Sequence, residues 1–195
     1  NMDQVGRAIK DVLSACINTR GIRVDKLSTF DIEYLFLHVR GKSIGETIEV
    51  MATCPDDGET KVPITVSIDE IQVKTNPEHN KDIKLDEKLT MRMRYPSLTE
   101  FVNRNFGESD QVTASFDVIA SCVEMIYTDE ETWSAKDHSK KEWLAFVETL
   151  PSNAFKQVEK FFNTMPKLEH TVTITNPNTK IESDVKLEGL AAFFS

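Results

Sequence analysis

Cysteine is scarce in this sequence. Cys16, Cys54 and Cys122 are the whole set, odd in number and widely spaced. That excludes the disulfide framework of a small secreted domain. No apolar run approaches the ~20 residues that a membrane-spanning helix needs. The opening NMDQVGRAIKDVL lacks the charged-then-apolar plan of a secretory leader. There is no phosphate-binding P-loop, no dinucleotide fingerprint and no Gly-x-Ser-x-Gly elbow. Positive charge is also in deficit, with 23 Lys and Arg against 32 Asp and Glu and a net charge of -9. Nucleic-acid binding rests on neutralising phosphates, so no nucleic-acid partner is expected. Arg7, Lys10, Arg20, Arg23 and Lys26 do gather early, but spread over a helix and a loop they read as a solvated face. The acidity suits steering toward a basic partner.

What is present is ordinary globular material. The 195 residues are 39% apolar and 28% charged, which excludes wholesale disorder. The length suits a single domain, with 1–95 and 96–195 as its natural subdivision. Val5, Ala8, Ile9, Val12, Leu13 and Cys16 recur at helical steps and predict an amphipathic helix over 3–17, with Cys16 on its apolar stripe as a small hydrophobe. Ser28 to Arg40 is apolar on more than one face and predicts a helix surrounded by protein, ended by Gly41 and Gly45. The period then changes. Residues 47–53 and 60–68 flank Cys54-Pro55-Asp56-Asp57-Gly58-Glu59 and predict a hairpin, with Pro63 placing its strand at an edge or a bulge. Residues 69–74 and 84–95 extend this to a three- or four-stranded antiparallel sheet across 46–95.

After Pro96 the pattern is helical. Helices are predicted over 97–106, with Ser97 and Glu100 as a capping box, over 111–127, 140–149 and 152–165. Gly107 breaks the first of them, and 128–138 reads as a polar loop around an anchoring Trp133. Residues 171–175 and 180–187 then flank Asn176-Pro177-Asn178-Thr179 as a second hairpin. The apolar tail to Phe194 docks on the body or stands out as a peg, and docking is favoured. The fold class is α+β: N-terminal helices, a small antiparallel sheet, a helical middle region and a C-terminal β-hairpin.

Candidate chemistry is thin. Cys54-Pro55-Asp56-Asp57-Gly58 has the Cys-Pro-x-x-Gly frame of a zinc knuckle, but Asp57 stands where the second thiolate belongs. No second cysteine pair or histidine pair completes a set of four ligands, so the segment reads as a turn. His38, His79, His138 and His170 are scattered, and His38 reads as a hydrogen-bonded core histidine. Glu130 and Glu131 sit in a polar loop and read as solvated charges. No catalytic residue, metal ligand or cofactor is nominated, and the protein is expected not to be an enzyme. Two alternatives stand beside this reading. A hydrolase-like enzyme would show a polar pocket joining His38 or His138 to a carboxylate. A degenerate zinc-ribbon adaptor would carry bound zinc.

The segment Leu27 to Glu46, LSTFDIEYLFLHVRGKSIGE, followed by strands around Cys54-Pro55, resembles the core segment of the baseplate hub assembly proteins of T4-like contractile-tailed bacteriophages. Asp57 departs from relatives with a fuller cysteine pair at this turn. The resemblance implies assembly rather than catalysis: a chaperone or component of the central baseplate hub, acting late in the host cytoplasm or retained in the tail baseplate of the virion, with other hub proteins as partners. Such a role needs edge strands or apolar surface that another chain can cover. The sequence pattern offers Pro63, then Val172 and Ile174 in the second hairpin, and Leu190, Phe193 and Phe194 in the tail.

Overall fold

The computed structural model describes residues 2–106 and 111–193, and side chains over 3–103 and 115–193. Gly107 and Phe194 lie outside the described residues. In chain order the elements are α1 (Met2–Cys16), α2 (Thr29–Ile44), β1 (Thr47–Thr53), β2 (Lys61–Ser67), β3 (Gln72–Lys74), β4 (Asp82–Lys84) and β5 (Thr90–Met93). They continue with α3 (Leu98–Phe106), α4 (Gln111–Cys122), β6 (Val123–Tyr127), β7 (Thr132–Ser134), α5 (Lys140–Glu148), α6 (Ser152–Thr164), β8 (Lys167–Thr175) and β9 (Glu182–Glu188). Short 3-10 turns occupy Val24–Lys26, Ile68–Glu70 and Leu190–Phe193. The architecture is α+β.

The chain forms two compact units that interleave along the sequence instead of dividing once near residue 95. The first takes residues up to Asp11, then Arg23–Thr29 and Thr75–Met165; the second takes Val12–Ile22, Phe30–Lys74 and Pro166 onward.

In the first unit a four-stranded antiparallel sheet runs β4-β5-β6-β7. Met91, Met93, Ile126, Trp143, Val158 and Phe161 are among its buried core. The helix predicted over 111–127 ends at Cys122, and Val123–Tyr127 is a strand. Val-Glu-Met-Ile-Tyr fits either period, because Val123 and Ile126 are apolar at a helical step while the segment is also β-rich. Pairing with β5, Met91 opposite Ile126, settles it. The loop predicted over 128–138 contains β7, where Trp133 pairs with Ile126 and stays 36% exposed. The Glu100 half of the expected Ser97–Glu100 box forms at the start of α3. The Ser97 N–H and hydroxyl both donate to Glu100 Oε2 at 2.7 Å, and Arg94 Nη2 donates to Oε1 at 2.9 Å. Burial works against the ionised Glu100, but the Ser97 and Arg94 bonds outweigh it and lower its pKa.

In the second unit two hairpins pack their inner faces together. β1 and β2 form a two-stranded sheet, and β3, β8 and β9 form a second with β8 in the middle. The single sheet expected across 46–95 is therefore three separate pairings. β3 is too short to find its partner by pattern, and it joins β8, nearly a hundred residues on, with Val73 opposite Leu168. The shared core holds Leu37, Ile48, Val50, Val66, Ile71, Leu168, Leu187 and Phe193, and a smaller cluster joins Ala52 and Cys54 to Ile174.

No residue of α2 from Thr29 to Gly41 is exposed, as the apolar run predicts. The helix continues four residues past Arg40. Gly41 lies inside it at a close approach, where a Cβ would stand 2.8 Å from Ile68 Cδ1, and Gly45 at φ 146° ends it. In α1 only Ile9 and Leu13 are buried, while Val12 and Cys16, one helical row away, are exposed. Cys16 is thus a surface thiol and not part of an apolar stripe.

Candidate functional site

The second unit brings together two turns that the sequence separates by more than a hundred residues. In the first, Cys54 N–H donates to Thr60 C=O at 2.7 Å and Gly58 N–H to Cys54 C=O at 2.9 Å, with Gly58 at φ 71°. Asp57 Oδ1 accepts from the N–H groups of Glu59 and Thr60, both at 3.0 Å, and its Oδ2 accepts from the Thr60 hydroxyl. In the second turn Asn176 N–H donates to Ile181 C=O at 3.0 Å and Lys180 N–H to Asn176 C=O at 2.9 Å, with Lys180 at φ 65°.

Asn176 ties the two together. Its side chain belongs to a residue only 1% exposed. Nδ2 donates to Asp56 Oδ1 and Oδ2 at 3.1 and 3.0 Å and to Asp57 Oδ2 at 2.8 Å. Oδ1 accepts from Asn178 N–H at 2.8 Å and Thr179 N–H at 3.4 Å. The Thr179 hydroxyl donates to Asp56 Oδ2, and Asn178 Nδ2 to Thr60 Oγ1 at 3.0 Å. Neutral donors therefore satisfy two adjacent carboxylates. They hold Asp57 far below the usual carboxylate range, Thr60 first and Asn176 with it, and lower Asp56 through Thr179 and then Asn176. The sequence shows the first turn as an incomplete knuckle frame and the second as an Asn-Pro-Asn turn, and nothing in either names the other as its partner.

The two buried thiols are not poised for attack. Burial first, then Asp56 and Asp57, push Cys54 up, and burial pushes Cys122 up to about 12. Both stay protonated near neutrality, whereas the thiolate is the nucleophile. Among the described residues no group of three or more His, Cys, Asp or Glu is placed to hold a metal.

The histidines remain apart. His38 is half-buried against Tyr34, with ring centroids 4.2 Å apart, but its Nε2 is buried without a hydrogen-bond partner, unlike the bonded core histidine expected. His170 meets Glu70, with Nδ1 3.2 Å from its C=O. His138 lines a cavity of about 320 Å³ with Leu89, Ile126, Trp133, Glu142, Trp143 and Phe146. The walls are apolar, and Glu142 is committed elsewhere: its Oε2 accepts from Ser139 N–H and hydroxyl at 2.7 Å, which lowers its pKa and caps α5. His138 Nδ1 lies 3.9 Å from Glu142 Oε1. The Ser139–Glu142 cap thus stands beside His138 at an apolar pocket.

His79 carries a pH prediction. The Thr164 hydroxyl donates to Lys160 C=O at 2.7 Å, so His79 Nδ1 donates to Thr164 Oγ1 at 3.0 Å and Nε2 is the bare nitrogen, buried without a partner. Burial, then the charge of Lys81, lowers its pKa. The unfolded chain takes up this proton near pH 6.5 while the folded chain resists it. The contribution is complete above that pH and declines as pH falls toward the lowered folded value. Thermal melts from about pH 7.5 to about pH 5.5 should show a falling Tm, and His79→Gln should remove part of the slope.

Of the surface positions nominated from sequence, Pro63 is exposed on β2 opposite Met51, itself 53% exposed. Among the described residues no third strand pairs with this sheet. Ile174 and Phe193 are buried at 4% and 1%, and Val172 and Leu190 are half-buried against the same core. The alternation of β8 turns 172 and 174 inward, and the last 3-10 turn docks. These four side chains pack on the unit's own core, and the tail docks through Phe193 as the sequence favoured; Phe194 lies outside the described residues.

A family model described as T4 bacteriophage base plate protein matches residues 1–195. The chain belongs to that family. No curated protein and no solved structure matches it. A base plate protein works among other phage baseplate proteins in the virion tail, so the open β1–β2 sheet becomes the surface of interest. Among the described residues no helix of this baseplate protein is long and apolar enough to cross a membrane.

Proposed function

We propose that this baseplate protein assists assembly of the central hub, in the host cytoplasm, as a chaperone or as a hub component, by binding neighbouring subunits and without catalysis. The observation that carries the reading is the β1–β2 sheet, whose outer face pairs Met51 with Pro63 and whose edges meet no third strand among the described residues. An exposed methionine beside an open strand edge suits capture by another chain, through main-chain pairing and apolar cover. The buried, protonated thiols of Cys54 and Cys122 and the capped Glu142 favour binding over chemistry, and the net charge of -9 suits basic partners.

The test is a pull-down of the chain from infected-cell extract, with mass spectrometry of what is retained and comparison with purified mature tails. Hub subunits in the pull-down, with the chain absent from tails, identify a chaperone. The chain in both identifies a hub component. Met51→Asp should weaken capture about tenfold without lowering Tm, since Met51 faces solvent. Recovery of no tail protein would sink the reading.

A further inference from the structure

The two turns repeat one another position by position. Cys54 and Asn176 open them, Pro55 and Pro177 follow, Asp57 and Thr179 come three residues after the opener, and Gly58 and Lys180 come fourth with positive φ of 71° and 65°. In both, the N–H of the fourth residue returns to the opener's C=O at 2.9 Å. In both, the side chain three after the opener accepts from the backbone N–H two residues further on, Asp57 from Glu59 at 3.0 Å and Thr179 from Ile181 at 3.3 Å. Asn176 Oδ1 also accepts from the N–H groups two and three residues after it. The openers and the residues three after them stand at the ligand spacing of a Cys-Pro-x-Cys-Gly knuckle, and two facing knuckles on two hairpins are the plan of a zinc ribbon.

We infer that the paired turns are a zinc-ribbon frame in which hydrogen bonds have taken the place of the metal, with the Asn176 amide as the cross-link. Three of the four ligand positions hold Asp57, Asn176 and Thr179, and only Cys54 is a thiol, so the residues present do not fit a structural zinc. The join is made instead by Asn176 Nδ2 on Asp56 and Asp57, Thr179 on Asp56 and Asn178 on Thr60. A metal crosses such a gap with four bonds to one centre, and here the same span is closed by direct contacts at 2.8 to 3.1 Å and by the Thr179 hydroxyl. The sequence hides this because only the first turn keeps a cysteine.

The test restores the ligands. The triple variant Asp57→Cys, Asn176→Cys and Thr179→Cys, with native Cys54, is titrated with Co²⁺. The expected result is one ion per chain with the intense visible bands of a tetrahedral thiolate site, together with a Tm gain that a chelator reverses. Wild type should give neither. If the metal-free variant fails to fold, Zn²⁺ should restore the native circular-dichroism spectrum. A folded variant that binds Co²⁺ no better than wild type, or an unfolded one that Zn²⁺ does not recover, would overturn the inference.

Discussion

Asn176→Asp is expected to be the most damaging single change in the second unit at neutral pH. Asn176 is 1% exposed, and its amide nitrogen faces both oxygens of Asp56 and one of Asp57 at 2.8 to 3.1 Å. The substitution replaces that donor with a third carboxylate and changes almost no volume. It leaves a buried charge facing like charge, a class of change worth about 3 kcal/mol or more. The effect also has a pH signature. The new carboxyl, pressed by two neighbours, has its pKa raised, so the loss should be largest near pH 8 and shrink toward pH 5 as that group takes a proton. Wild type behaves in the opposite sense. The Asp56 and Asp57 pKa values are lowered in the folded state, so their contribution is present above about pH 3.9 and disappears only as pH falls through the lowered values. Because the wild-type contribution is constant between about pH 5 and pH 8, thermal melts of both proteins at these pH values isolate the change in the variant's deficit. A variant whose deficit is the same at pH 5 and pH 8 would refute the charge argument.

Phe161→Ala should be the comparable loss in the first unit. Phe161 is 1% exposed, and its ring meets His79 at 5.1 Å, Phe162 at 5.1 Å and Tyr95 at 5.9 Å between centroids. Removing it deletes buried apolar surface and leaves a cavity, which typically costs about 3–5 kcal/mol. For a chain of this size that corresponds to a fall of about 10 °C in Tm. The neighbours limit collapse, because Tyr95 is already held by Lys81 Nζ, 4.1 Å over its ring, and His79 by Thr164. Phe161→Leu keeps most of the volume and should recover more than half of the loss in the same melt. Equal Tm values for Phe161→Ala and wild type would mean that this aromatic stack does not support the unit.

Local chemistry was legible along the chain. The Ser97–Glu100 box, the helix of Ser152–Thr164 with Val158 and Phe161 inward, the strand alternation of 47–53 and the turns at 54–59 and 176–179 all follow from contacts within a few residues. The apolar run at 28–40 announced a buried helix, though not its continuation through Gly41 to the exposed Ile44, and the segment Leu27 to Glu46 pointed to the baseplate family. Each of these depends on period, capping or turn conformation, and these act over one or two turns of chain.

Partner choice was not legible in the same way. Val123–Tyr127 satisfies the helical and the strand period equally, and only β5 alongside decides for strand. The three residues of β3 are too few to name β8. Pro63 marked β2 as an edge strand, and among the described residues β2 pairs only with β1, whereas the burial of Ile174 needed the faces of two hairpins to meet. Asn176 is the plainest case. Its own turn explains what its oxygen accepts, but what its nitrogen donates to lies more than a hundred residues away. By itself the sequence determined most of the elements, the acidity and the family. The tertiary structure decided which strands pair, which apolar side chains are buried and how two turns are clamped without metal, because those depend on groups that meet only when distant segments pack.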